Sequence, residues 1–147
     1  LPAAPFGLPF ADQAEVPMRA VLLALMLLTG PAAAQEAPIQ NVIRQQLDAF
    51  TADDFARAFT YASPTIKGIF GTPDNFGAMV QQGYPMVHRP GAVRMLELRE
   101  MAGRLYQRVM ITDAAGRTHL LDYEMIETPE GWQINGVSLL PAPETGV

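Results

Sequence analysis

The chain has 147 residues, 49% of them hydrophobic and 17% charged, a balance that fits one globular domain rather than a disordered or fibrous chain. Its formal charge of −5, with arginines scattered among acids, argues against a nucleic-acid partner, because that recognition rests on clustered positive charge. The absence of cysteine excludes disulfides, thiolate metal sites, cysteine nucleophiles and cysteine-linked lipid.

Met18-Arg19 leads into nine apolar residues, 20–28, followed by Thr29-Gly-Pro31 and the small residues Ala32-Ala-Ala34. These are the three parts of a secretory signal peptide. Nine residues rise only about 14 Å as a helix, half of a bilayer core, so a membrane anchor is disfavoured. The expectation is a signal peptide over residues 18–34, cleaved before Gln35, and a periplasmic or secreted protein with no membrane span after cleavage. Residues 1–17 then read as a mis-extended upstream segment, with Met18 the true start. A single α+β domain occupies 35–147, with nine Lys+Arg against thirteen Asp+Glu.

Residues 35–38 read as a short spacer. Ile39, Ile43, Leu47 and Phe50 are spaced by four, four and three, the stripe of an amphipathic helix. Thr51 and Asp53 suggest caps for a second helix with Phe55, Ala58, Phe59 and Ala62 on one face, ended by Ser63-Pro64. Residues 65–71 read as a turn or a single helical coil. Thr72-Pro73-Asp74 starts a helix that carries Phe76, Met79 and Val80 inward and stops near Gly83. Capping accounts for Asp53, Asp54 and Asp74 without a metal or catalytic role. Residues 84–91 hold two prolines and read as a stiff, extended connection bearing His88 and Arg89.

The last third, about 93–140, reads as three or four antiparallel strands with turns at Asp113-Ala-Ala-Gly116 and Thr128-Pro-Glu-Gly131. If each is a four-residue loop, Thr112 faces Arg117, Val109 faces Leu120 and Tyr106 faces Tyr123. In the second hairpin Glu127 faces Trp132, Met125 faces Ile134 and Tyr123 faces Gly136. One face then collects Tyr106, Arg108, Met110, His119, Leu121, Tyr123, Met125, Trp132, Ile134 and Leu140. The other collects Leu105, Gln107, Val109, Ile111, Leu120, Asp122, Glu124, Ile126, Asn135, Val137 and Leu139. Neither is polar throughout, so helices cover one face, the one with Trp132, and a partner subunit, a ligand or the bent sheet itself covers the other.

The order of two helices, a third after a loop, and then an antiparallel sheet ending in Gly131-Trp-Gln-Ile134 resembles the nuclear transport factor 2-like superfamily. More narrowly, Phe70-Gly-Thr-Pro-Asp-Asn-Phe76, Met79-Val80, Gly83-Tyr-Pro85, Val87 and Arg89-Pro90 resemble the domain of unknown function 4864 family. So do Gln107-Arg-Val109, Asp113 with Gly116, Tyr123-Glu124 and the Trp132 segment. The likeness spans roughly residues 39–140. It implies an α+β fold with N-terminal helices packed on a curved antiparallel sheet, cone-shaped and with a pocket at the open end. It carries over no catalytic residue.

The polar side chains available to line such a pocket are Tyr84, His88, Arg89, Tyr106, Arg108, His119 and Tyr123, a set suited to a small polar or anionic molecule. An acid–base enzyme of lyase or isomerase type, using His119, Tyr123 or Asp122, is the alternative; Asp122 and Glu124 share a face as a carboxylate pair. A third reading is an assembly role for the outer sheet face. A homodimer through the sheet is expected, with no cofactor and no metal. His88 and His119 lack the spacing of a metal-binding helix, and no phosphate-loop or dinucleotide fingerprint is present.

Overall fold

A computed structural model of the protein describes residues 31–141. The expectations for residues 1–17 and for most of the leader lie outside the described residues. Backbone contacts divide the chain into two units, with the boundary between Gln35 and Glu36. The elements are α1 (Pro31–Thr51), α2 (Phe55–Thr60), α3 (Pro64–Phe70), α4 (Pro73–Gly83) and α5 (Pro85–His88). They are followed by β1 (Ala92–Met101), β2 (Arg104–Thr112), β3 (Thr118–Thr128) and β4 (Gly131–Leu139). The second unit is therefore α+β, with helices packed against one four-stranded antiparallel sheet of order β1-β2-β3-β4. Among the described residues no helix is long and apolar enough to cross a membrane.

The stripe on α1 behaves as its spacing demands: Ile39, Ile43, Leu47 and Phe50 are all buried. Residues 35–38 are not a spacer, because α1 begins at Pro31 and runs through Pro38. Asp54, not Asp53, caps α2, its side chain accepting from the Arg57 N–H. Ser63 ends one element and starts the next. It caps α3 by accepting from the Ile66 N–H, with Pro64 in the first turn, so residues 65–70 belong to a short helix that Gly71 caps. Thr72 caps α4 through the Asn75 N–H as expected. The extended connection over 84–91 is also corrected. Pro85 occupies the first turn of α5, where a missing N–H costs nothing.

Three hairpins build the sheet. Asp113 and Arg117 close the β2–β3 loop, the Asp113 N–H donating to the Arg117 carbonyl at 2.8 Å. Asp113 Oδ1 accepts from the N–H groups of Ala115 and Arg117, each at 2.9 Å, and Gly116 takes φ +84°. That is a three-residue loop, 114–116, with a left-handed glycine, so five residues rather than four separate the paired Thr112 and Thr118. Thr112 therefore pairs with Thr118, Val109 with Leu121 and Tyr106 with Glu124. A one-residue slip turns a whole strand over relative to its neighbour. Leu105, Gln107, Val109 and Ile111 consequently face the helices, while Tyr106, Arg108 and Met110 point away.

At the second turn the expected pairs Glu127–Trp132 and Met125–Ile134 are present. Beyond them a bulge at Asn135 shifts the register, so Glu124 lies opposite Gly136 and Tyr123 opposite Val137. A third turn, Ala102-Gly103, joins β1 to β2 with φ of +53° and +76°, the left-handed pair of a type I′ hairpin. The β1 strand bulges between Met95 and Leu98. There Gln107 Nε2 donates to the Leu96 carbonyl at 2.9 Å and to its neighbour's carbonyl on Arg108 at 2.9 Å. The helices cover the face bearing Val109, Ile111, Leu121, Tyr123, Met125 and Ile134, all buried, with Trp132 packed beside them. Burial of each such side chain contributes roughly 1.5–3 kcal/mol.

Candidate functional site

A cavity of about 240 Å³ remains between the helices and the inner face of the sheet. Gln46 and Phe50 reach it from α1; Ile66 and Phe70 from α3, with Ala62 just before; and Phe76, Met79 and Val80 from α4. Tyr84 and Val87 close one side, and Tyr123, Ile134, Gly136 and Val137 form the sheet wall. The local sequence explains this convergence. Phe76 and Val80 lie one turn apart on α4, and Phe76 is the centre of an aromatic cluster with ring centroids 5.7 Å from Phe50, 5.3 Å from Phe59 and 5.7 Å from Phe70. Such offset, tilted rings are the favoured arrangement. Two other depressions, beside Arg44 and Pro90 and beside Tyr61 and Trp132, are lined by largely exposed or half-buried side chains.

Three polar side chains border the cavity. Gln46 is buried and its Nε2 donates to the Ala58 carbonyl at 3.1 Å. The Tyr84 hydroxyl donates to the Val137 carbonyl at 3.1 Å. Tyr123 is 0% exposed and its hydroxyl has no hydrogen-bond partner. Burial, and secondarily the nearby Tyr84, push that phenol well above its ordinary value of 10.0, so it stays protonated. An unpartnered buried hydroxyl costs about 1–3 kcal/mol. None of the residues lining the cavity carries a charge.

Of the seven residues expected at a pocket, the fold brings Tyr84 and Tyr123 to the cavity and places five elsewhere. His88 and Arg89 lie at the end of α5 around Asp53. His88 Nε2 is 2.7 Å from Asp53 Oδ1, and the Arg89 guanidinium donates to both Asp53 oxygens at 3.0 and 2.9 Å. Arg89 also donates to the Phe50 carbonyl at 3.0 Å and the Thr51 carbonyl at 3.3 Å, satisfying carbonyls that the end of α1 leaves open. The Arg89 bond first, and the His88 bond second, hold the Asp53 carboxyl below its ordinary value. His119 is bonded to Asp113 Oδ2 at 2.8 Å and fastens the β2–β3 turn.

Tyr106 and Arg108 are on the outer face, as the register requires. Arg108 is bonded to Asp122 at 3.0 and 3.1 Å. The Tyr106 hydroxyl donates to Glu124 Oε1 at 3.3 Å, which also accepts from Arg104 at 3.1 Å. Asn135 Nδ2 donates to the second Glu124 oxygen, and Ser63 Oγ donates to Asn135 Oδ1 at 2.7 Å. Asp122 and Glu124 do share a face, but each is held in its own ion pair, away from the cavity. Among the described residues no cluster of three His, Cys, Asp or Glu side chains could hold a metal ion.

The cavity residues that sequence reasoning did not single out are Gln46 and the apolar set on α3 and α4. Phe76, Met79 and Val80 were legible as inward-facing. Periodicity carries no sign that tells a side chain filling the core from one bordering a void in it.

Fold and site together define an α+β domain with an uncharged, aromatic-walled cavity between its helices and an antiparallel sheet. The family model of the domain of unknown function DUF4864 matches residues 32–147, and the chain belongs to that family. No curated protein and no solved structure matches it.

Proposed function

We propose that this domain binds one small organic molecule in the cavity between its helices and sheet. The observation that carries the reading is the cavity itself. It opens partly to solvent and leaves about 240 Å³ among Phe50, Phe70, Phe76 and Val80, more than the water-sized voids of a packed interior. An apolar cavity of about 150 Å³ holds benzene, so a somewhat larger molecule fits. The anionic ligand expected from Arg108 and His119 is not the best match, since neither borders the cavity. Thermal-shift screening of the protein against a metabolite panel tests the proposal. A ligand at 100 times its Kd stabilises by about 2.7 kcal/mol, and Ile66→Trp, which fills the lumen from α3, should abolish the response. A panel without any stabilising member, or a response that Ile66→Trp leaves intact, refutes it.

The wider reading extends to compartment, assembly and ancestry. The leader at residues 18–34 supports export to the periplasm or beyond; a mature N-terminus upstream of Gln35 would refute the cleavage proposed. The outer sheet face, where Met110, Leu120 and Ile126 are half-buried among ion pairs, supports a homodimer through the sheet. Light scattering that finds only monomer at high micromolar concentration would remove it. Helices preceding a sheet that carries two bulges, devices that bend strands, support membership of the nuclear transport factor 2-like superfamily and its cone-shaped form.

A further inference from the structure

Three polar side chains border the cavity, and two of them already donate a hydrogen bond. The Gln46 amide donates to Ala58 and the Tyr84 hydroxyl donates to Val137. The Tyr123 hydroxyl alone is left without a partner, on a ring that is 0% exposed. Its position is not accidental slack in a loop: Tyr123 sits mid-strand in β3, between Gln107 on β2 and Val137 on β4. A phenylalanine there would keep the apolar packing without burying a hydroxyl. The same wall offers nothing to a charged ligand, because no cation or carboxylate lines the cavity, and a charge brought in unpaired is strongly penalised.

We infer that the ligand is uncharged and largely apolar, carries one hydrogen-bonding oxygen, and is recognised through that oxygen by the Tyr123 hydroxyl. The inference rests on the cavity being a ligand site. The chemistry it selects is that of a small alcohol or ketone with a compact ring or branched body. Hydrocarbons of the same shape fill the space but leave Tyr123 unpaired. Carboxylates of the same shape meet no positive partner. The Tyr84 hydroxyl, on a residue that also borders the cavity, already donates to Val137, so of the two phenols only Tyr123 is free to donate.

The test uses the whole chain and a matched set of probes: ethylbenzene, 1-phenylethanol, acetophenone and benzoate, titrated by calorimetry. The alcohol and ketone should bind about tenfold tighter than ethylbenzene, the ratio expected of one net hydrogen bond, and benzoate should not bind. Tyr123→Phe should bring the ratio to about one. A measurement on the unaltered protein guards against a misfolded variant: the infrared carbonyl band of bound acetophenone should fall below its position in hexane. A ratio that Tyr123→Phe leaves unchanged, an unshifted carbonyl band, or tightest binding by benzoate overturns the inference while the cavity remains a ligand site. Failure of all four probes, together with no response in the metabolite screen, overturns both.

Discussion

Arg108 and Asp122 stand directly opposite each other on β2 and β3, and the guanidinium closes two hydrogen bonds of 3.0 and 3.1 Å onto the carboxylate. Both side chains are largely covered, at 22% and 13% exposure, so this pair lies between a solvated surface bridge and a buried one. Arg108→Ala should destabilise the protein by about 1–2 kcal/mol in urea denaturation. It should leave the response to a cavity ligand unchanged, as should His119→Ala, whose partner is the turn carboxylate of Asp113. Loss of ligand binding in either variant would show that the site extends beyond the cavity.

Ser63 joins two jobs in one hydroxyl. It is buried, accepts from the Ile66 N–H at 3.2 Å as the cap of α3, and donates to Asn135 at the β4 bulge. Ser63→Ala removes the cap, worth about 1 kcal/mol and up to about 2, and strips Asn135 of its donor. Because α3 carries Ile66 and Phe70 to the cavity, the variant should lose ligand affinity along with stability, whereas Thr72→Ala at the α4 cap should lose less of the former. Parallel thermal and titration measurements on the two variants decide this.

Gly91 is required by space, not by φ. Its N–H donates to the Thr112 carbonyl at 2.8 Å, and a Cβ at this position would lie 2.6 Å from the same oxygen. Backbone cannot yield as a side chain end can. Gly91→Ala should therefore cost about 1–3 kcal/mol, seen as a lower Tm, and should loosen the start of β1 in hydrogen exchange. Gly68→Ala on α3, where a Cβ meets nothing within 4 Å, is the control and should be neutral or slightly stabilising.

The Asp113 carboxyl is held below its ordinary value of 3.8, first by His119 and then by the N–H groups of Arg117 and Ala115. A carboxyl depressed by folding contributes stability that is fully present above the unfolded pKa and is lost as pH falls through the folded one. The wild-type protein should thus lose this contribution only below about pH 4. Asp113→Asn should be less stable at neutral pH, and its deficit should shrink as the medium is acidified towards about pH 3. Unfolding midpoints across that range check the sign; a deficit that grows on acidification would contradict it.

Much of this architecture was legible in the chain because it is local. The spacing of Ile39, Ile43, Leu47 and Phe50 marks a helix face, Thr72-Pro73 marks a helix start, and Thr128-Pro-Glu-Gly131 marks a hairpin whose nearest pairs form as written. What failed was register. Asp113-Ala-Ala-Gly116 is a turn on any reading, but whether Arg117 closes the loop or follows it depends on how the Asp113 side chain bonds the N–H groups of Ala115 and Arg117. The Asn135 bulge was likewise invisible, since its partners Glu124 and Ser63 arrive from β3 and from the start of α3.

The α+β class, the helix stripes and the inward placement of Leu121, Tyr123, Met125 and Ile134 were determined by the sequence alone, because periodicity and turn chemistry act over a few residues. Only the tertiary structure decided which polar side chains meet. One residue of register put Arg108 and Tyr106 outside and Gln107 within, and it left Tyr84 and Tyr123 as the two expected residues at the cavity. The unpaired hydroxyl of Tyr123, on a strand held between β2 and β4, is a property of packing, and such a property exists only once the chain has closed on itself.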